Sequence, residues 1–103
     1  MTRTTDDRND PGLKEHQTNG QQEAYLVLSA EERAKGFVRP LRKSYVHTAC
    51  NTVTTMGLAL CETYARDPFF YSGTFCCGCG SHYPLNQFNW IEKDGSIGPQ
   101  VGS

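Results

Sequence analysis

The chain has 103 residues, with ten Lys and Arg against eleven Asp and Glu and a formal net charge of −1. That length allows one domain at most, and the near-neutral total gives no general attraction to nucleic acid or to a membrane surface. No stretch approaches the ~20 apolar residues needed to span a bilayer, and the opening Met1-Thr-Arg-Thr-Thr-Asp-Asp-Arg8 lacks the apolar run of a secretory signal.

Residues 1–23 hold only Met1 and Leu13 as large apolar groups. Such a segment buries too little to offset its ordering entropy, so a disordered polar tail is expected there. The folded domain is then expected over residues 24–97, a size that commonly needs a staple beyond its hydrophobic core. Tyr25-Leu-Val-Leu28 reads as a strand. Ser29-Ala-Glu-Glu32 has the spacing of a capping box, and Gly36 ends the one or two helical turns that follow. Phe37 to Val46 alternates well enough for a strand, with Pro40 marking an edge or a bend. After a turn at His47–Asn51, the β-branched Thr52-Val-Thr-Thr55 returns as a strand.

Met56 to Arg66 is the strongest helical pattern: Met56, Leu60 and Tyr64 recur at i, i+4 and i+8, Thr54 or Thr55 can cap it, and Asp67-Pro68 stops it. Phe69 to Phe75 is aromatic and extended, and leads to a second turn. Phe88-Asn-Trp-Ile91 reads as the last strand, followed by an Asp94-Gly95 turn and a flexible C-terminal tail over residues 98–103.

Two motifs carry the chemistry. His47-Thr-Ala-Cys50 is H-x-x-C followed by Asn51, and Cys76-Cys-Gly-Cys79 is C-x-x-C followed by Gly80. Ligands three positions apart reach one metal through a tight turn. The residue after the second ligand must then often take a left-handed backbone, which Gly adopts freely and Asn tolerates. The 25 residues between Cys50 and Cys76 suffice for a strand, a helix and a return. One His and three Cys make a closed N/S set of the kind structural Zn2+ prefers. The expected fold is a small α+β zinc-ribbon-like domain, with two metal turns on short β-hairpins and one inserted helix. His82 or Cys77 could replace one of the four ligands, although a Cys77-Gly-Cys79 pair would grip a metal poorly. Cys61 falls in the helical pattern and reads as a small core residue. An odd number of cysteines and no secretory leader point to a reducing cytoplasm without disulfides.

The same ligand set argues against catalysis, because a catalytic zinc keeps one position open for water. A zinc deaminase needs H-x-E and P-C-x-x-C, but position 49 is Ala and Phe75 stands where the proline would be. H-E-x-x-H, G-x-S-x-G and a phosphate-binding glycine loop are all absent from the sequence. Glu62 and Asp67 read as solvated helix charges. No enzyme is expected.

A contact surface is expected over Arg33, Lys35, Phe37, Arg39, Arg42, Lys43 and Tyr45, where basic and aromatic residues interleave without an acid. In an extended segment Phe37, Arg39, Lys43 and Tyr45 would share a face. That face could meet a protein partner, with Arg and Tyr as anchors, or contact phosphates and stack bases of DNA or RNA. Alternatively, Phe37 and Tyr45 pack into the core and the cations snorkel over its edge. Of the three rings in Phe69-Phe-Tyr71, at least one must lie near the surface.

The runs Glu31–His47, Thr54-Thr-Met56, Glu62–Pro68 and Phe75–Cys79 resemble small zinc-ribbon-like proteins encoded by bacteriophages and prophages, over roughly Tyr25 to Trp90. In that group H-x-x-C is typically followed by Gly, where this chain has Asn51. The resemblance implies a phage origin and a life in the bacterial cytoplasm, and brings no activity with it. Small phage proteins often bind host or phage machinery. The expected function is therefore docking onto a host or phage protein, including inhibition of a defence system such as a CRISPR effector. A nucleic-acid-binding regulator using residues 33–45 is the alternative.

Overall fold

A computed structural model describes residues 3–102. The fold is α+β, mostly β. Strand β1 (Arg3–Thr5) pairs in parallel with β2 (Ala24–Leu26). Helix α1 (Ala30–Arg33) is capped as its sequence predicts, with Ser29 Oγ accepting from the Glu32 N–H at 3.2 Å. Strands β3 (Ser44–His47) and β4 (Thr52–Thr55) form an antiparallel hairpin. Helix α2 (Leu58–Arg66) follows, then a second hairpin of β5 (Gly73–Cys76) and β6 (Ser81–Pro84). Strands β7 (Phe88–Ile91) and β8 (Ile97–Gln100) complete a four-stranded sheet in the order β4-β3-β7-β8.

The core lies where this sheet meets α2 and the second hairpin. Tyr45, Tyr64, Cys76, Leu85, Phe88, Trp90 and Val101 form it, with Met56, Tyr71 and Tyr83 partly buried against it. Tyr45 sets its ring edge-on to Phe88 at 5.2 Å and to Trp90 at 6.3 Å, the arrangement that ring quadrupoles favour. Its hydroxyl donates to the Phe75 carbonyl and accepts from Thr74 Oγ1 at 3.0 Å, so one buried phenol ties the first hairpin to the second. On α2, Cys61, Thr63, Tyr64 and Ala65 face inward. Burial pushes the Cys61 thiol up to about 11, as befits a small core residue.

Several elements differ from their sequence expectation. Residues 3–23 are folded rather than disordered. Their groups are satisfied locally: Glu23 N–H donates to Glu15 O at 2.8 Å, Gln17 N–H to Gln21 O at 2.7 Å, and Arg3 meets both carboxylate oxygens of Asp10 at 2.6 Å. A radius of gyration of 13.1 Å, close to the ~13 Å of a packed 100-residue domain, fits a segment laid on the body. Counting apolar residues missed this, because backbone hydrogen bonds and close glycine contacts do the seating.

The C-terminal residues are not loose either, since β8 pairs with β7 and Val101 is fully buried. Residues 1, 2 and 103 lie outside the described residues. The strand expected over residues 37–46 shrinks to Ser44–His47, because the amides of Val38 and Arg39 both turn to the Ala65 carbonyl at 2.8 and 3.1 Å. Likewise β2 spans Ala24–Leu26 rather than 25–28. Helix α2 begins after Gly57 without a side-chain cap. Thr54 and Thr55 stay in β4, where their hydroxyls bond Cys77 and Ser44.

Candidate metal centre

Each hairpin ends in a turn that carries two of the candidate ligands, and the two turns are built alike. In the first, the Asn51 N–H donates to the His47 carbonyl at 2.7 Å; in the second, the Gly80 N–H donates to the Cys76 carbonyl at 2.8 Å. Asn51 has φ 59° and Gly80 φ 67°, and Asn51 is the single non-glycine residue with positive φ among the described residues. Both turns thus need a left-handed residue just after their second ligand, and the sequence supplies the residue types that accept it.

The tips meet. His47, Cys50, Cys76 and Cys79 place one ligand atom each within 4.8 Å of one another, and the four could hold a metal ion. Cys50 Sγ lies 3.5 Å from Cys76 Sγ. His47 Nδ1 lies 3.4 Å from Cys50 Sγ and 3.6 Å from Cys79 Sγ. His47 and Cys76 are buried, while Cys50 and Cys79 are at the surface. The Thr52 side chain packs against the second tip, since a Cβ on Gly78 would lie 2.3 Å from Thr52 Oγ1.

Polar and aromatic neighbours hold each ligand. The His47 ring is clamped between Tyr83 at 4.6 Å and Phe88 at 4.7 Å, both nearly parallel to it. Its Nε2 lies 2.7 Å from Gln87 Oε1. An amide oxygen can only accept, so Nε2 carries the proton and Nδ1 presents its lone pair to the cluster. Gln87 is itself fixed to the first turn, its carbonyl accepting from the Thr48 amide and hydroxyl at 3.0 and 3.1 Å.

The thiols are tuned apart. Hydrogen bonds from the Thr52 side chain and backbone lead in bringing Cys50 down to about 6. Burial pushes Cys76 up, against the amides of Cys79 and Gly78. The Gln87 bond raises His47, and the Cys79 thiol raises its hydrogen-bonded neighbour Tyr83.

Cys77 and His82, the two possible substitutes, lie outside the cluster. Cys77 turns to β4, its N–H donating to Thr54 Oγ1 at 3.2 Å and its thiol lying 3.5 Å from the Val53 carbonyl. His82 alternates with Tyr83 along β6 and so faces the other side of the hairpin. There its Nε2 meets Tyr25 Oη at 2.8 Å, and its ring packs on Phe75 and His16.

The basic–aromatic segment is dispersed. Tyr45 is in the core, 2% exposed. Arg33 pairs with Glu62 at 2.5 Å, Lys35 with Glu32 at 2.9 Å and Arg42 with Glu92 at 2.6 Å. Phe37, Arg39 and Lys43 are exposed. The expected common face therefore has no strand to carry it and no Tyr45 on it. Of the three consecutive aromatics, Phe69 is 76% exposed, while the Tyr71 hydroxyl reaches the Leu26 carbonyl.

Sequence reading did not find Gln87, Tyr83 or Thr52. Tyr83 sits four residues beyond Cys79 and could have been sought on the ligand face of a returning strand. Gln87 lies 40 residues from His47, and nothing local marks it. No family model, curated protein or solved structure matches this chain. Among the described residues, no helix is long and apolar enough to cross a membrane.

Proposed function

We propose that the chain is a non-enzymatic zinc-ribbon module whose metal locks two hairpins together, and that it docks onto a host or phage protein in a bacterial cytoplasm. The observation that carries this reading is the convergence of His47, Cys50, Cys76 and Cys79 from two like-built hairpin tips. Tetrahedral zinc at ~2.3 Å from sulfur and ~2.0 Å from nitrogen sets its ligand atoms roughly 3.5–3.8 Å apart; His47–Cys50, Cys50–Cys76 and His47–Cys79 lie at 3.4 to 3.6 Å, within a cluster that spans up to 4.8 Å. Four N/S ligands fill the shell, and the cluster includes no carboxylate to serve as acid or base. A full shell held by Gln87, Tyr83 and Thr52 suits a structural metal.

A protein partner is favoured over nucleic acid because Arg33, Lys35 and Arg42 are matched by acids and Tyr45 is no stacking platform. Inhibition of a defence system such as a CRISPR effector is the form of docking that the phage resemblance suggests. The test has two parts. Metal analysis of purified protein should give one zinc per chain. The zinc-loaded chain should leave single- and double-stranded DNA and RNA unbound at low salt, and should retain a bacterial protein that the Arg39→Glu/Lys43→Glu variant loses. Affinity for DNA or RNA that falls steeply with salt would instead make residues 33–45 a nucleic-acid surface.

A further inference from the structure

The N-terminal segment reaches the second ligand turn by a backbone-to-backbone contact. Gly20, at φ +93°, is so close to Gly80 that a Cβ on it would lie 2.0 Å from the Gly80 carbonyl oxygen and 3.3 Å from the Phe75 ring. Gly80 is the residue whose N–H closes the turn onto Cys76. The same segment covers the outer face of the second hairpin, where His16 sits edge-on to His82 at 6.1 Å. Its far end is anchored separately. Val27 N–H donates to Thr5 O at 2.8 Å, Arg3 N–H to Glu23 O at 3.0 Å, and Gly12 is pressed against Ala24.

We propose that residues 3–23 are a strap that locks the second ligand turn and slows loss of the metal. The proposal rests on reading the four-residue cluster as a zinc site. For Cys76 or Cys79 to leave the metal, their turn must open, and opening displaces Gly80. With Gly20 seated on that carbonyl, the turn cannot open without lifting the strap. The linkage runs both ways: seating the strap tightens the metal, and binding the metal seats the strap. The contact also gives residues 3–23 a reason to fold that their composition does not.

The test uses the full zinc-loaded chain, following zinc transfer to an excess of chromophoric chelator and amide hydrogen exchange over residues 3–23. Gly20→Ala removes the seat directly. Gly12→Ala unseats the strap far from the metal, since a Cβ there would lie 2.9 Å from that of Ala24. Gly36→Ala is the control, because Gly36 also has a positive φ, +110°, but nothing within 4 Å of an added Cβ, so the substitution strains the backbone without making a contact. Gly20→Ala and Gly12→Ala should lose strap protection and release zinc about tenfold faster, as when an affinity coupling in the usual range for linked sites falls on the off-rate. Gly36→Ala should match the wild type. If Gly20→Ala fails to fold, Gly12→Ala decides. Unchanged release despite faster strap exchange, or unchanged exchange in both variants, overturns the strap and leaves the metal site standing. A wild-type chain that binds no zinc overturns both.

Discussion

Gln87 holds His47 by the nitrogen turned away from the cluster, with Oε1 2.7 Å from Nε2. The bond selects which ring nitrogen faces the thiols, and the flanking rings of Tyr83 and Phe88 fix its plane. Such outer partners commonly contribute about 10–100-fold to metal affinity. Gln87→Leu should weaken zinc binding by that order in a chelator competition, while Gln87→Glu, which keeps the acceptor, should hold it. Equal affinity in Gln87→Leu would show that ring stacking alone orients His47.

The ligand set is tested by substituting neighbours that the turns separate. On the proposed reading as structural zinc, Cys79→Ser should unfold the domain or greatly weaken metal retention, because such a site contributes folding energy outright. Cys77→Ser should retain zinc, since Cys77 faces Thr54 and Val53. Metal loss in Cys77→Ser, or an equally stable metal-free Cys79→Ser, would contradict the assignment.

Tyr45 separates a core role from a contact role. Tyr45→Phe keeps the ring packing but orphans the Phe75 carbonyl and removes one partner of the Thr74 hydroxyl, which for a buried group costs about 1–3 kcal/mol. Urea unfolding should shift by that amount, with partner affinity unchanged. Full stability with lost binding would return Tyr45 to the surface role.

His82 gives the fold a pH dependence under the strap. Burial first, and then His16, lowers its pKa, with Tyr25 and Phe75 packed on the same side. Above the ordinary imidazole value near ~6.5, His82 is neutral in both states and has no effect. Below it the unfolded chain takes up a proton that the folded chain resists, so stability falls until the pH passes the folded value. Stability of the wild type relative to His82→Gln should therefore decline between about pH 7 and pH 5. Protonation of the metal ligands is common to both proteins and cancels. A flat difference would show that His82 titrates as it does in water.

The ligand turns were legible because their chemistry is local. His47, Cys50, Cys76 and Cys79 announce themselves by spacing, and Asn51 and Gly80 by the conformation each turn requires. Ser29 as a helix cap was legible for the same reason. The extent of β3 was not. Alternation over residues 37–46 matched a strand, but the Ala65 carbonyl captured two amides, and that carbonyl is far away in sequence.

By itself the sequence determined the mixed α+β class, the one strong helix, the two ligand turns and the core identity of Cys61, since each follows from short-range spacing and side-chain type. Only the tertiary structure decided that His82 and Cys77 stand off the cluster, that Gln87 supports it, that Tyr45 is buried and that residues 3–23 fold. These outcomes depend on which faces the second hairpin turns to the sheet and to the strap. Packing between distant segments sets those faces, and no local pattern encodes it.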